Sequence, residues 1–310
     1  MDKIVIFKFG ALGDIIIATP IIKTIVNYHG NVTLITQSQF LPVFENWQGL
    51  KVEVINNKSI IQNIKFLFKL KRNNYSQLYD LQSNDRSRIL CMLSGIPKRV
   101  GNHRIPYTHY PKDRWTGQVH IFSRMCEVLK SAGLTNSDDT PHIPCSKKQK
   151  KKVIGWLSKK GVNSKKCILI HAGSSKSRID KRWPFFKELA SILDKKGFEI
   201  IWIGDKDDAI TNANLSKRNG INATCCFSIA ELTELGRLSN FAITNDSAPM
   251  HVLSASNIPI FGLFGPSNPN RNHALGQKSR IITPKNSSNK MADISVNQVI
   301  SSIEKDGLIN

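Results

Sequence analysis

Three segments of the 310-residue chain carry residue types that can do chemistry at the end of a strand. The first is Gly10-Ala11-Leu12-Gly13-Asp14, directly after an apolar run and before IIIATPIIKTIV. Two glycines let the backbone turn tightly and approach a ligand, and backbone amides at a helix start would keep the Asp14 carboxylate ionised. Such a carboxylate facing a cleft is a usable general base. The same residue also serves as a plain N-cap, and the segment alone leaves both readings open. The spacing is GxxGD and not GxGxxG, which argues against a dinucleotide-binding oxidoreductase.

The second segment is the strand CILIH at 167–171, followed by Ala172-Gly173-Ser174-Ser175 and then Asp180-Lys181-Arg182-Trp183-Pro184. Ser174, Ser175 and nearby amides can hold phosphate oxygens, and Lys181 adds a point charge for a leaving phosphate. A surface loop rich in Lys and Arg is the plain alternative. The third segment spans 242–269. A buried strand ends there in Asn245-Asp246, and Ser247-Ala248-Pro249-Met250-His251 opens a helix whose free amides make an anion site. His251 fits equally as a buried, satisfied histidine. Asp205-Lys206-Asp207 has the DxD form that can hold a divalent cation, but its lysine disfavours one. Asp205 or Asp207 then contacts a nucleotide ribose, or both are simply acidic residues at a helix start.

The elements that must position these residues are β-branched runs alternating with helical patterns. They are Lys3–Phe9, Val32–Thr36, Val52–Ile55 and Ser76–Leu81, then Cys167–His171, Glu199–Ile203, Phe241–Asn245 and Ile258–Phe264. That alternation predicts α/β architecture with parallel sheets, and it occurs twice. Between the two series, Thr135–Lys152 has two prolines and a lysine run and reads as a linker. The expected organisation is a Rossmann-like domain over 1–145, a second over 146–294, and a closing helix over 295–310. Two such domains would bind ligands at the carboxyl ends of their strands, in an interdomain cleft.

A hydrophobic content of 40% supports two cores and excludes disorder as the main reading. The net charge of +21 is carried by both halves and calls for an anionic partner: nucleic acid, anionic lipid or a phosphorylated small molecule. No RNP-type, zinc-spacing or helix-turn-helix signal supports nucleic acid. Six cysteines without CxxC spacing read as reduced thiols. No run approaches the ~18 apolar residues of a membrane span, and the first twenty residues lack signal-peptide features, so a cytoplasmic chain is expected. In Ile60–Arg72, apolar residues at 60, 61, 64, 67 and 68 form a stripe beside Lys65, Lys69 and Arg72. That stripe is either the core side of a surface helix or a face for an anionic membrane.

GALGDIIIATP, YDLQSNDRSRILCMLSGIPKRVG at 79–101, HAGSSKSRIDKRWP at 171–184 and TNDSAPMHVLSASNIPIFGLFGPSNP at 244–269 resemble, in order, the signatures of the bacterial heptosyltransferases, glycosyltransferase family 9. The resemblance implies a GT-B fold of two doubly wound domains facing an interdomain cleft. It also implies inverting transfer of heptose from ADP-heptose to the lipopolysaccharide inner core, with no metal and no cofactor, by an enzyme peripheral to the inner membrane. Asp14 then matches the catalytic base and Lys181 the lysine that meets the diphosphate. Ser174 and Ser175 fall near the phosphate-touching hydroxyls, Asp246 matches the carboxylate on the donor sugar, and Ser247, Ala248, Pro249, Met250 and His251 match the diphosphate cradle. Ala248 stands where the family usually has glycine. The acidic acceptor would meet Gly13 and some of Lys8, Lys65, Arg86, Arg88, Arg99 and Arg104. The competing expectations are a family member using another nucleotide sugar and a basic nucleic-acid-binding protein.

Overall fold

A computed structural model describes residues 2–55, 60–113, 119–136, 138–286 and 288–309. The chain divides into two compact units, Met1–Pro144 and Cys145–Asn310.

The first unit runs β1 (Ile4–Phe7), α1 (Leu12–His29), β2 (Val32–Thr36), β3 (Leu50–Val54), α2 (Ile60–Arg72), β4 (Gln77–Asp80), α3 (Asp85–Leu93), β5 (Lys98–Val100) and α4 (Ile121–Ser131). Its five parallel strands lie in the order β3-β2-β1-β4-β5. The chain steps outward from β1, then crosses back through α2, so strand order reverses between β1 and β4. Ligands of open α/β sheets sit at the carboxyl ends of such a strand pair. Right-handed crossovers put α1 on one face and α2 and α3 on the other. Val5, Phe7 and Leu78 meet Leu70 of α2 and Leu90 of α3 in one core layer. Helix α1 is apolar around most of its circumference, with Ile15 to Ile22 buried throughout, and α4 packs against it.

The second unit runs α5 (Lys147–Lys159), β6 (Cys167–His171), α6 (Phe186–Lys195), β7 (Glu199–Trp202), α7 (Ala209–Ser216), β8 (Ile221–Asn222), α8 (Ile229–Arg237), β9 (Phe241–Asn245), α9 (Ala248–Ser254), β10 (Ile260–Leu263), α10 (Pro269–Asn272), β11 (Ile281–Ile282) and α11 (Val296–Lys305). Its parallel sheet has the order β11-β10-β9-β6-β7-β8, which repeats the first topology with one more strand. The reversal here falls between β6 and β9. Alternate residues of one strand feed two cores: Ile168 and Ile170 join Phe186 and Leu189 of α6, while Cys167 and Leu169 join Val153 of α5 and Leu235 of α8. Strands apolar on both faces are what a doubly wound sheet requires. Helix α11 closes this unit, burying Val299 and Ile303 against the α6 layer.

The lysine run assigned to a linker starts a helix. Ser146 and Gln149 form a capping box, so α5 begins at Lys147. Strands β5, β8 and β11 are three, two and two residues long, too short for any alternation to show. All six cysteines are free thiols.

Candidate functional site

At the β1/β4 reversal, Gly10 adopts φ +142°, and a Cβ there would come within 3.0 Å of the Phe40 ring, so the turn after β1 requires glycine. Ala11, not Asp14, is the N-cap of α1, and it makes no side-chain cap bond. Gly13 is the second helical residue and Asp14 the third, half-buried in the first turn. The plain-cap reading of Asp14 therefore fails, while the field of the helix amides still acts on its carboxylate.

Lys8 lies just past β1 and is buried, its Nζ donating to the Leu81 carbonyl at 3.3 Å. Burial pushes this ammonium below its ordinary value, and the carboxylates of Asp14 and Asp80 pull it back up. Asp80 ends β4, wholly buried. Its Oδ1 accepts the Gln82 and Ser83 amides at 3.0 and 2.9 Å, and its Oδ2 accepts the Tyr107 hydroxyl at 2.5 Å. Burial pushes the Asp80 carboxyl up, although hydrogen bonds from Ser87, Tyr107, Ser83 and Gln82 oppose the shift. The Phe9 amide donates to Gln82 Oε1 at 2.8 Å and so ties the loop after β1 to the loop after β4.

The other basic candidates of this unit divide by how far they are already bonded. Arg99 is committed to backbone, with Nε on the Pro106 carbonyl at 2.8 Å and Nη1 on the Ile96 carbonyl at 2.6 Å. Arg88 joins Asp85 at 3.4 Å to the Ile105 carbonyl at 3.3 Å. Arg86, in the first turn of α3, keeps a buried Nη2 with no hydrogen-bond partner. Lys65 and Arg104 are exposed.

In the second unit, four strand ends bring their loops together. Lys181, from the turn Lys176–Lys181 after β6, places Nζ 2.5 Å from Oδ2 of Asp246, which follows β9, and the pair is almost buried. Ser267, after β10, donates to the same oxygen at 2.6 Å. His171 ends β6 between two partners, with Nδ1 2.9 Å from Ser247 Oγ and Nε2 3.2 Å from Asp208 Oδ2. Burial raises the Asp208 carboxyl, but the hydrogen bond and charge of His171, with the Asp205 amide, outweigh it and hold the group below its usual value. Asn245 fixes the frame: its Nδ2 donates to the Ala172 and Gly173 carbonyls at 3.0 Å, and its Oδ1 accepts the Trp183 amide at 3.2 Å.

The remaining candidates stand around this cluster. Ser247 is the N-cap of α9 but turns its hydroxyl to His171 and makes no cap bond. Ala248 opens the helix. Pro249 has no amide hydrogen, and the Met250 amide already bonds the Ser247 carbonyl at 3.1 Å, so the anion site has fewer donors than its sequence suggested. The Met250 side chain enters the α5/α8 core, and His251 is buried. Ser174 is buried and bonded to the Arg178 carbonyl at 2.8 Å, while Ser175 is exposed. Asp205 caps the turn Lys206–Asp208 by accepting the Asp207 amide at 2.8 Å, and Asp207 pairs with Lys176 at 2.9 Å.

Asp208, Ser267, His171 and Asn245 were absent from the sequence-based site. Asp208 leaves one trace in the sequence: Gly173 and Gly204 are both glycines because a Cβ at either would collide with it, at 1.8 and 2.5 Å. No spacing rule connects those three positions.

The chain matches the family described as Glycosyltransferase family 9 (heptosyltransferase) over residues 64–299. It is 25% identical over 233 residues to lipopolysaccharide heptosyltransferase 2 of Escherichia coli (strain K12), a match covering 69% of this chain and 66% of that protein. With lipopolysaccharide heptosyltransferase 1 of Campylobacter coli it shares 25% identity over 310 residues, 90% of this chain and 89% of the other. Among solved structures, a glycosyl transferase family 9 protein from Veillonella parvula superposes with a TM-score of 0.83 at 23% identity, covering 98% of this chain and 96% of its own. The E. coli ADP-heptose lps heptosyltransferase II superposes with a TM-score of 0.76 at 18% identity, over 98% of both chains. These likenesses show the expected GT-B fold class.

Proposed function

Because the chain belongs to glycosyltransferase family 9, the heptosyltransferases, and is therefore a glycosyltransferase, we propose that it moves heptose from ADP-heptose to the inner core of lipopolysaccharide, with inversion and without a metal ion. The observation that carries the reading is the nearly buried Lys181–Asp246 pair, 2.5 Å apart and steadied by Ser267, at the strand reversal of the second unit. The relatives act on lipopolysaccharide by their names, and one solved neighbour is named for ADP-heptose.

In this reading Asp246 holds Lys181 toward the donor diphosphate. Asp14 takes the proton from the acceptor hydroxyl as its oxygen bonds the anomeric carbon, and the bond from that carbon to the β-phosphate oxygen breaks. Negative charge grows on the departing ADP, and a fixed ammonium stabilises that charge more in the transition state than in the ground state. Arg86, half-buried on the first turn of α3 and with Nη2 lacking a hydrogen-bond partner, is a candidate cation of the first unit for an acidic acceptor. Lys8 serves Asp14 and Asp80 from inside the fold and is withdrawn from the acceptor. An acceptor of this kind places the enzyme at the cytoplasmic face of the inner membrane, as a peripheral protein.

A thermal-shift titration with ADP, UDP and GDP, joined to a transfer assay in EDTA, tests the reading. ADP alone should raise the melting temperature progressively as its concentration passes the dissociation constant, and turnover should persist in the chelator. A shift with UDP or GDP but not ADP refutes the donor. Activity lost in EDTA and restored by magnesium refutes the metal-free mechanism.

A further inference from the structure

Of the two readings of the α2 stripe, the core-side one fails, because most of the stripe faces outward. The Ile60 side chain lies outside the described residues. Of the others only Leu67 turns in, joined by Phe66 and Leu70, while Ile61 is 65% exposed, Ile64 47% and Phe68 69%. Helix α3 repeats the pattern. Leu90 and Cys91 enter the core, and Ile89, Met92 and Leu93 are exposed on the far side.

These stripes are neighbours. Both helices cover the same face of the sheet, and Lys71, in the last turn of α2, reaches Gly95 just beyond α3. Arg88 of α3 bonds the carbonyl of Ile105, itself exposed. Exposed apolar residues gathered on one face in this way mark an interaction surface. Its charge indicates what covers it. Helix α2 contains Lys65, Lys69, Lys71 and Arg72 and no acidic residue; Lys69 pairs with Glu53 at 2.9 Å, and the other three are exposed. An apolar ridge beside a cationic rim complements acyl chains beneath anionic headgroups. A second copy of the chain would instead set like charges against each other, at +21 per chain.

We infer that the α2–α3 face docks on an anionic lipid bilayer. The helices start at the carboxyl edge of the sheet, the edge on which Asp14 stands, so a bilayer on this face would hold a glycolipid close to that edge. The inference rests on the proposed function only in taking the acceptor to be a membrane glycolipid.

Co-sedimentation with vesicles of phosphatidylglycerol and phosphatidylcholine, against phosphatidylcholine alone, tests it on the full chain. The wild type should partition roughly tenfold or more in favour of the anionic vesicles at low salt. A triple variant, Ile61→Ser with Ile64→Ser and Phe68→Ser, should lose roughly tenfold or more. Replacing Lys65, Lys71 and Arg72 by Gln should cost about fivefold per charge. Both variants should keep the wild-type melting temperature and its rise with ADP. Equal binding to both vesicle types, or wild-type binding by the triple variant, overturns the inference. So does a wild-type dimer that the triple variant dissociates while vesicle binding is unchanged, because the occupant is then a second copy. Loss of the ADP response with vesicle binding intact refutes the donor reading alone.

Discussion

At the β6/β9 reversal the carboxylates arrive already matched with bases: Asp246 with Lys181, Asp208 with His171. At the β1/β4 reversal of the same topology, Asp80 is satisfied by two amides and a phenol, and the Asp14 side chain makes no hydrogen bond among the described residues. On the proposed reading the difference separates two tasks. An acid bonded to a lysine fixes where a positive charge stands, which suits an anionic ligand. A half-buried carboxylate in the first turn of a helix, with Lys8 behind it, keeps oxygens that no side chain among the described residues occupies, which suits the role proposed for Asp14.

The sharpest way to break this comparison is Asp14→Asn. The variant should lose a factor of roughly 10² to 10⁴ in kcat, because an amide cannot take the acceptor's proton. Its stability should change by at most about 1 kcal/mol, the scale of a first-turn charge in the helix field. Single-turnover rate, melting temperature and the ADP-induced shift belong on one preparation. A folded variant that keeps most of its single-turnover rate removes Asp14 from the chemistry.

Next in size is the Lys181–Asp246 pair. Lys181→Met should lower kcat roughly 10²- to 10³-fold by removing a charge aimed at the leaving group. Asp246→Asn leaves Lys181 nearly buried without its counter-ion and should destabilise the second unit by about 3–5 kcal/mol. Joining the two substitutions should recover much of that loss of stability, though not the activity. Additive instability in urea unfolding would show that the two side chains do not act as a pair.

The fold was legible because a doubly wound sheet writes its buried strands as short runs rich in apolar and β-branched residues, and Val32–Thr36, Cys167–His171 and Phe241–Asn245 have the bounds the sequence suggests. Lys181 and Asp246 were legible separately as residues at strand ends. Their contact was not, since 65 residues separate them and only the parallel pairing of β6 with β9 brings them together. Lys8 misled for a related reason: a lysine after a strand looks like a surface cation until Asp14 and Asp80 are seen around it. The α2 stripe left two readings open, because periodicity marks an apolar face without saying what lies against it.

A third test sharpens the packing side of the comparison. Gly173→Ala would set a Cβ 1.8 Å from Asp208 Oδ1, so either the carboxylate leaves His171 or the loop after β6 moves. A loss of about 1–3 kcal/mol is expected. At Gly155, within α5, an added methyl group would meet nothing within 4 Å, and Gly155→Ala should gain about 0.5–1 kcal/mol from helix propensity. Equal effects at the two sites would show that Asp208 is not held where its bonds to His171 and Asp205 put it.

The smallest effect lies in pH dependence, where the two buried aspartates should pull in opposite directions. Asp208 has its carboxyl held below the ordinary value of 3.8, so its contribution is fully present above that pH and is lost as pH falls through the folded-state value. Asp80 has its carboxyl pushed above 3.8, so its contribution is most favourable below that pH and declines as pH rises through the folded-state value. Asparagine keeps the shape of each side chain and removes the titration. Urea midpoints across the acid range should therefore show the stability difference between wild type and Asp208→Asn shrinking on acidification. The difference between wild type and Asp80→Asn should instead shrink as the pH rises. In both cases hydrogen bonds to the carboxylate oppose the effect of burial, which keeps the slopes shallow. Slopes of the same sign for the two variants would mean that the two strand reversals treat a buried carboxylate alike, and the division of labour drawn from their electrostatics would fall.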